Sequence, residues 1–252
     1  MAAIEVHNLK KSFDEQEVLK GISTTFEKGK TNLIIGQSGS GKTVFLKSLI
    51  GLHQIDEGEI LYDGRELSNM DTNAKKSLRT DMGMVFQGNA LFDSLSIEDN
   101  VKFALDMFSG MSSSEKTDRA NFCLEKVHLK DVNNKFPAEV SGGMQKRVAL
   151  ARAIALSPKY LFCDEPNSGL DPKTAIVIDN LIQEITQDFD ITTIINTHDM
   201  NSVMEIGDKI IYIKHGLKVW SGTKDEILST DNEDINDFVF CSKLFKSIKK
   251  NL

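Results

Sequence analysis

The chain has 252 residues, of which 40% are hydrophobic and 27% are charged, and its formal net charge is −7. These values are ordinary for a folded protein with one large domain or two small ones. The negative charge argues against a protein that binds nucleic acid mainly by electrostatic attraction, because such a protein needs a basic surface to replace the counterions on the phosphates.

The cysteines and the apolar segments restrict the cellular setting that we expect. Cys123, Cys163 and Cys241 lie far apart, so no disulfide framework is expected and a reducing, cytoplasmic setting fits best. The first residues lack the basic stretch and apolar core of a secretion signal. No apolar run approaches the roughly 20 residues needed to cross a bilayer. Any membrane role is therefore expected to depend on a partner.

The N-terminal part predicts strands followed by a glycine-rich loop and a helix. Residues 4–9 alternate apolar and polar side chains, as a half-buried strand does. Residues 18–26 and 31–35 predict further strands, and the second of these leads directly into the glycine loop. Apolar residues then recur with helical spacing after Lys42 up to Gly51, with Leu52 just beyond it: Phe45, Leu46, Leu49, Ile50 and Leu52. This strand–loop–helix order is the context that a phosphate-binding loop requires.

The loop itself predicts a binding site for a nucleoside triphosphate. Backbone N–H groups in a glycine turn, together with a helix N-terminus, supply partial positive charge for phosphate oxygens. Lys42 is expected to reach the β and γ oxygens, and the Thr43 hydroxyl to bind Mg²⁺. A chance match in a chain of this length has a probability of about 1%, which makes a plain surface turn a poor alternative. The predicted nucleotide contacts here are Gly36, Gln37, Ser38, Gly39, Ser40, Gly41, Lys42 and Thr43.

The middle of the chain predicts a helical insertion in one α/β domain. Residues 60–64 indicate a strand and a turn, and residues 88–157 are mainly helical in pattern. Ser112 and Glu115 have the spacing of a capping box. The helix that they open has an apolar face formed by Ala120, Cys123, Leu124 and Val127. A second helix is expected after Gly143, and residues 160–163 and 192–196 predict buried strands.

Two acids follow the strand at residues 160–163. Ligands collect at the carboxyl ends of parallel strands. Asp164 therefore suits the Mg²⁺ shell, and Glu165 suits polarising the attacking water. Alone, an Asp-Glu-Pro turn leaving a strand would be the commoner explanation. Its position after a phosphate loop favours the catalytic role.

The segment Ser141-Gly142-Gly143-Met144-Gln145 precedes these acids. With the phosphate loop, in this order and spacing, it makes the chain resemble the ATPase subunits of ATP-binding-cassette (ABC) transporters over about residues 4–228. The resemblance implies an α/β fold: a P-loop NTPase (RecA-like) core with an N-terminal antiparallel β subdomain and a helical insertion. It implies an ABC ATPase domain over residues 1–230, with the helical subdomain at about 88–157.

The resemblance also implies roles for residues that would not indicate a function if each were considered alone. Ser141, Gly142 and Gly143 would bind the γ-phosphate of ATP held by another copy. Gln87 would touch Mg²⁺ and link the site to the membrane partner. His198 would contact the γ-phosphate.

Two further residues match the family at positions outside these segments. Asp171 would end a segment that crosses the dimer interface, and Phe13 would stack on adenine. Phe13, Met144 and Gly169 depart from the residues usual in the family, but none of these changes removes a catalytic group. A small GTPase or kinase-like enzyme would not need the Ser-Gly-Gly segment or His198.

Residues 86–101, and 141–144 followed by 147–156, resemble the ATPases of Mla-type lipid-trafficking systems. The resemblance implies an ATP-sandwich homodimer that drives a multi-span membrane permease for phospholipid, on the cytoplasmic face of the inner (cell) membrane. An accessory regulatory subunit is also compatible with it, and nucleic acid is not an expected partner. Importers of amino acids or other small solutes, and non-transport ABC proteins, are the alternatives. The permease is expected to dock at Asn89, Leu91 and Phe92.

The C-terminal residues predict a separate tail over 231–252. Residues 231–237 are acidic and polar, which is typical of a solvated linker. Beyond them an apolar helical face is flanked by lysines, which would suit an anionic membrane or a partner groove. Folding back on the domain is an equal alternative. The apolar residues are Cys241, Leu244, Phe245, Ile248 and Leu252, and the lysines are Lys243, Lys246, Lys249 and Lys250.

Overall fold

A computed structural model describes residues 2–240 of the chain. The chain divides into two units, one formed by Met1–Met70 with Ile194–Leu252 and the other by Asp71–Thr193. No helix among the described residues is both long and apolar enough to cross a membrane.

The first unit begins with an antiparallel sheet whose strands lie in the order β2 (Gln16–Glu27), β1 (Ala2–Phe13), β4 (Glu57–Tyr62) and β5 (Arg65–Glu66). Ile4 lies opposite Phe26 in the β1–β2 pair, and both side chains are buried. The strands predicted at residues 4–9 and 18–26 are confirmed, and each belongs to a longer strand. The elements are β1 (Ala2–Phe13), β2 (Gln16–Glu27), β3 (Thr31–Ile35), α1 (Lys42–Leu49), β4 (Glu57–Tyr62) and β5 (Arg65–Glu66).

The strand and helix around the glycine loop form as predicted. Every residue of β3 is buried, which explains its uninterrupted apolar run. The inward face of α1 contains Phe45, Leu46 and Leu49. The helix ends at Leu49, two residues before the predicted end at Gly51, and Leu52 lies beyond it with 58% of its surface exposed.

The second unit consists mainly of helices. The capping box at Ser112 and Glu115 is present at the start of α4, and the predicted apolar face of this helix is buried. Two short strands, β6 and β7, pair in parallel, with Val85 opposite Cys163. The elements are α2 (Thr72–Thr80), β6 (Met82–Val85), α3 (Ile97–Phe108), α4 (Ser113–Lys126), a 3₁₀ turn (Pro137–Glu139), α5 (Gly142–Ala153), β7 (Tyr160–Asp164) and α6 (Pro172–Asp188).

The chain then returns to the first unit through β8 (Thr192–Thr197). There the strands lie in the order β10 (Leu217–Gly222), β9 (Lys209–Lys214), β3 and β8, and β3 pairs in parallel with β9. The remaining elements are α7 (Met200–Ile206), β9 (Lys209–Lys214), β10 (Leu217–Gly222), α8 (Lys224–Ser229) and α9 (Glu233–Val239).

The acidic stretch at residues 231–237 differs from the expected linker, because most of it lies in α9. Ile235 and Val239 are buried. The Phe238 ring stacks on Tyr212 with a centroid separation of 5.0 Å. These apolar contacts explain why an acidic sequence folds here. The basic amphipathic pattern that begins at Cys241 lies outside the described residues.

Candidate functional site

The loop after β3 requires glycine at its first position. Gly36, Gly39 and Gly41 have positive φ angles of 153°, 78° and 104°. A Cβ atom at Gly36 would lie 2.2 Å from the carbonyl oxygen of Ile213, whereas one at Gly39 would meet nothing within 4 Å. Gly36 therefore permits a close approach of two backbone segments, while Gly39 supplies only a turn.

The loop wraps around its own lysine. Lys42 is 5% exposed, and its Nζ donates hydrogen bonds to the carbonyl oxygens of Gly36 at 2.8 Å and Gln37 at 3.0 Å. The Ser40 hydroxyl is buried and has no hydrogen-bond partner among the described residues. A buried cation and an unsatisfied hydroxyl in one loop suit a polar, anionic ligand.

Helix α1 begins without a capping side chain. Its N-cap is Gly41, which provides no side-chain hydrogen bond. The other α-helices within residues 2–240 are each capped by a side chain. Gly41 therefore places no side chain over the N-terminus of α1, and a phosphate is the ligand that the positive end of a helix favours.

Thr43 and His198 both belong to the first unit. The Thr43 hydroxyl accepts a hydrogen bond from Asn196 Nδ2 at 3.2 Å. Asn196 is buried in β8, and His198 follows this strand in an exposed position. Asn196 has no role that its sequence context indicates, since a buried asparagine in a strand does not reveal its hydrogen-bond partner.

Phe13, at the end of β1, is 40% exposed. Its ring meets the edge of His53 at a centroid distance of 5.2 Å. Lys11 Nζ lies 5.3 Å from the centre of the same ring. Burial lowers the pKa of His53, and the nearby Lys47 and Lys11 lower it further. His53 was not singled out from sequence, because nothing local to it indicates a contact with Phe13.

The acids at the end of β7 lie in the second unit. Asp164 is 5% exposed. Glu165 adopts a left-handed backbone conformation with φ of 47°, which costs a non-glycine residue about 1–2 kcal/mol. Its Oε2 accepts a hydrogen bond from Gln87 Nε2 at 2.9 Å. The structure therefore brings together two of the three predicted catalytic residues, and strain of this kind is typical of functional sites.

Helix α5 contributes a residue that the sequence analysis missed. Lys146 is 5% exposed, and its Nζ donates a hydrogen bond to the Gln87 carbonyl oxygen at 2.6 Å. Burial lowers the pKa of Lys146, and the negative charge of Glu165 partly opposes this effect. A lysine among apolar helix positions was the only available signal.

The Ser-Gly-Gly segment forms the start of α5. Ser141 is the N-cap and accepts a hydrogen bond from the backbone N–H of Met144 at 3.3 Å. Ser141 and Gly142 are exposed, so they are accessible to another molecule. A Cβ atom at Gly143 would lie 2.6 Å from Thr174 Cγ2, which explains the second glycine by packing.

Asp171 is the N-cap of α6. Its side chain accepts hydrogen bonds from the backbone N–H groups of Lys173 and Thr174, both at 3.1 Å. Hydrogen bonds from Thr174 and Lys173 hold the pKa of Asp171 below its usual value. This capping role accounts for Asp171 without a nucleotide, and its predicted contact across a dimer interface stays a prediction.

An apolar groove of about 410 Å³ lies in the second unit. The Phe92 and Phe103 rings form part of its wall, with centroids 4.5 Å apart. Other lining residues are Met84, Phe86, Phe108 and Leu156. Of the residues predicted to receive a permease, Phe92 lines the groove and is 41% exposed.

The sequence profile of the ABC transporter family matches residues 19–168. The chain belongs to the ABC transporter family. It is 37% identical over 94% of its length to the probable ribonucleotide transport ATP-binding protein mkl of Mycobacterium leprae, of which it covers 68%. It is 35% identical over 94% of its length to the methionine import ATP-binding protein MetN of Campylobacter jejuni, of which it covers 75%.

A plant relative and a solved structure are also similar to this chain. Trigalactosyldiacylglycerol 3, a chloroplastic protein of Arabidopsis thaliana, is 35% identical over 93% of this chain and 72% of its own length. The dimeric structure of the bacterial ABC transporter cassette MJ0796 is 32% identical, covers 88% of this chain and 98% of its own, and has a TM-score of 0.80. The same cassette has been solved after hydrolysis with ADP and Pi.

These relationships confirm the predicted ABC ATPase fold and the predicted activity. As an ABC cassette, the chain binds ATP with Mg²⁺ and hydrolyses it. The side-chain oxygen atoms of Thr43 in the first unit, and of Asp164 and Gln87 in the second, are each the kind of donor that Mg²⁺ prefers. The chemistry of each residue therefore fits this ion.

Proposed function

We propose that this chain is the ATPase subunit of an ABC transporter that moves phospholipid through a separate membrane permease. The observation that carries the proposal is the apolar groove. Residues 86–101, which resemble Mla-type ATPases, supply Phe86, Ala90 and Phe92 to its lining. The same stretch begins next to Gln87, whose amide contacts Glu165. One segment therefore serves both the chemistry and the proposed permease contact.

In the proposed reaction, the phosphate loop holds the triphosphate. Lys42 would leave its bonds to the loop carbonyls and bind the β and γ oxygens. Thr43, Asp164 and Gln87 would hold Mg²⁺, which neutralises charge on the phosphates when bound. Glu165 would orient the attacking water and accept its proton, and His198 would contact the γ-phosphate.

We infer that the chain works as a homodimer with two ATP molecules between its copies. Ser141 and Gly142 are exposed at the start of α5, where the helix dipole favours an anion brought by another copy. The dimeric structure of MJ0796, a relative at 32% identity, supports this arrangement. Gly143 and Asp171 would lie near the interface, and Phe13 would stack on adenine.

The groove is the surface that we assign to the permease. A surface helix with apolar residues would bury its face against Phe92, Phe103 and Phe108, which are 41%, 37% and 47% exposed. This contact would place the chain at the cytoplasmic face of the inner (cell) membrane. An accessory regulatory subunit is compatible with the remaining surface.

A small-solute importer is the second candidate function. Its support is the 35% identity to the methionine import protein MetN, which extends over 94% of this chain. The name of mkl contains a third substrate, a ribonucleotide. The choice therefore rests on the Mla-type segments, and on a lipid in the name of the Arabidopsis relative.

The test is purification of the full chain from gently solubilised native membranes, followed by mass spectrometry of the retained proteins and lipids. A multi-span permease that retains phospholipid supports the proposal. A permease that retains no lipid would support the importer, if methionine or another solute stimulates the ATPase activity of its complex with this chain. Recovery without any membrane protein would contradict both transport proposals.

A further inference from the structure

Lys146 is unusual because it is a buried cation in the packed part of a helix. It lies in α5, where Val148, Ala149 and Leu150 are also buried. Only 5% of its surface is exposed. Lysine is almost never this buried unless it has a partner, because loss of water around the ammonium group is costly. The position therefore calls for a specific contact that offsets this cost.

That contact is with the backbone of the residue that we assign to Mg²⁺. Lys146 Nζ donates to the carbonyl oxygen of Gln87 at 2.6 Å. The side-chain amide of Gln87 then donates to Glu165 Oε2 at 2.9 Å. Lys146 Nζ makes no hydrogen bond to Glu165. The hydrogen-bonded link from Lys146 to the proposed catalytic carboxylate therefore passes through Gln87, beside the direct electrostatic attraction between the two charges.

The rest of the loop is also held from α5. Asn89 and Ala90 have positive φ angles of 62° and 51°, a conformation that is unfavourable for alanine. Arg152, on the same helix, donates to the carbonyl oxygens of Ala90 at 2.6 Å and Asn89 at 2.8 Å. The bend of the loop is therefore maintained by side chains of α5, with Lys146 at the Gln87 end and Arg152 at the other.

We propose that Lys146 is a positioning residue for ATP hydrolysis, which fixes the Gln87 backbone so that the Gln87 side chain is held at the site of Glu165 and the metal. This inference rests on the proposed function of Gln87. Lys146 makes no contact with nucleotide or with the reacting atoms in this assignment. The hydrogen bond could be made by another long donor at this position, but not by an apolar side chain of similar length.

The first measurement is hydrogen exchange of the full chain without nucleotide. Lys146→Met should increase exchange in peptides that contain residues 86–92, because the loop loses one of its restraints. Lys146→Arg should restore slow exchange. Lys159→Met is the matched control, since Lys159 belongs to the same unit but is 60% exposed and pairs with Asp81.

The second measurement is a double-mutant cycle on the ATPase rate with Gln87→Ala. Lys146→Met should reduce kcat about tenfold in the wild-type background, with little change in KM for ATP. It should change kcat less than about twofold when Gln87 is already alanine. Lys146→Leu, which also lacks a donor, provides the same cycle if the methionine variant does not fold.

The outcomes separate this inference from the proposed function. If Gln87→Ala alone leaves hydrolysis unchanged, the assignment of Gln87 fails. If Gln87→Ala is damaging but Lys146→Met reduces kcat equally in both backgrounds, Lys146 does not act through Gln87 and the inference is wrong. Unchanged exchange at residues 86–92 in Lys146→Met would also contradict it.

Discussion

Two bent loops carry much of the proposed chemistry, and they are stabilised in opposite ways. The phosphate loop of the first unit bends at glycines and is held by Lys42, which belongs to the same segment. The loop after β6 in the second unit bends at Asn89 and Ala90. It is held by Lys146 and Arg152, which come from a helix more than fifty residues further along the chain.

The conformation of the first loop is therefore determined largely by its own residues, and that of the second loop by residues that are distant in sequence. A loop that bends at glycines adopts positive φ angles without the steric cost that other residues have. A loop that bends at non-glycine residues is strained, and it keeps its conformation only through tertiary contacts with other parts of the chain. The second loop is therefore the one that a neighbouring molecule could reshape, which suits a segment assigned both to catalysis and to permease docking.

The largest expected effect comes from the carboxylate next to the second loop. Glu165→Gln should reduce ATP turnover by about a hundredfold to ten-thousandfold, because an amide cannot accept the proton of the attacking water. ATP binding should persist, since the phosphate loop is unchanged. Steady-state hydrolysis and equilibrium binding of a fluorescent ATP analogue measure the two properties. Glu184→Gln, an exposed change in α6, is the control, and equal turnover in both variants would contradict the role of Glu165.

The next effect tests whether the phosphate loop depends on glycine at every position. Gly36→Ala should destabilise the protein by about 3 kcal/mol, because its Cβ would overlap the Ile213 carbonyl oxygen at 2.2 Å. Gly39→Ala should cost about 1 kcal/mol, because that site has a positive φ but open space. Urea unfolding of both variants measures the difference. Equal destabilisation would show that backbone conformation alone, and not close approach, explains Gly36.

The same contrast explains which features could be predicted from the sequence. The glycine loop, the capping box of α4 and the buried strand that ends at Asp164 are encoded by neighbouring residues, so local patterns were sufficient. The end of α1 was predicted two residues too late, at Gly51, because the apolar spacing continues past Leu49. The acidic residues of α9 indicated a solvated linker, and the buried contacts of Ile235 and Val239 were therefore not predicted.

The features of the site that were not predicted depend on residues that are distant in sequence. Lys146 and Asn196 become meaningful only when folding places them against Gln87 and Thr43. The left-handed backbone of Glu165 was equally hidden, since glutamate has no preference for that conformation. Motif chemistry and family resemblance predicted which residues belong to the proposed site, but neither predicted what holds each of them in place.

A smaller effect is expected where the second loop meets the groove. Phe92→Asp should weaken retention of the permease about tenfold to a hundredfold, because it places a charge in an apolar contact. Nucleotide binding by the isolated chain should be unchanged. Co-purification from membranes measures the loss. Phe136→Asp is the control, since Phe136 is 44% exposed in the same unit but does not line the groove; equal losses would assign the defect to general surface polarity.

The smallest effect tests the strain in the second loop directly. Ala90→Gly should stabilise the protein by about 0.5–1 kcal/mol, because glycine adopts a φ of 51° without the clash that alanine suffers. Part of the gain is lost to the greater freedom of glycine in the unfolded chain. Asn89→Gly should gain less, because asparagine tolerates the left-handed region better than alanine does. Thermal unfolding measures both changes. A destabilised Ala90→Gly variant would mean that the Ala90 side chain contributes packing in the groove that outweighs the strain, and the second loop would then depend on its own residues as the first one does.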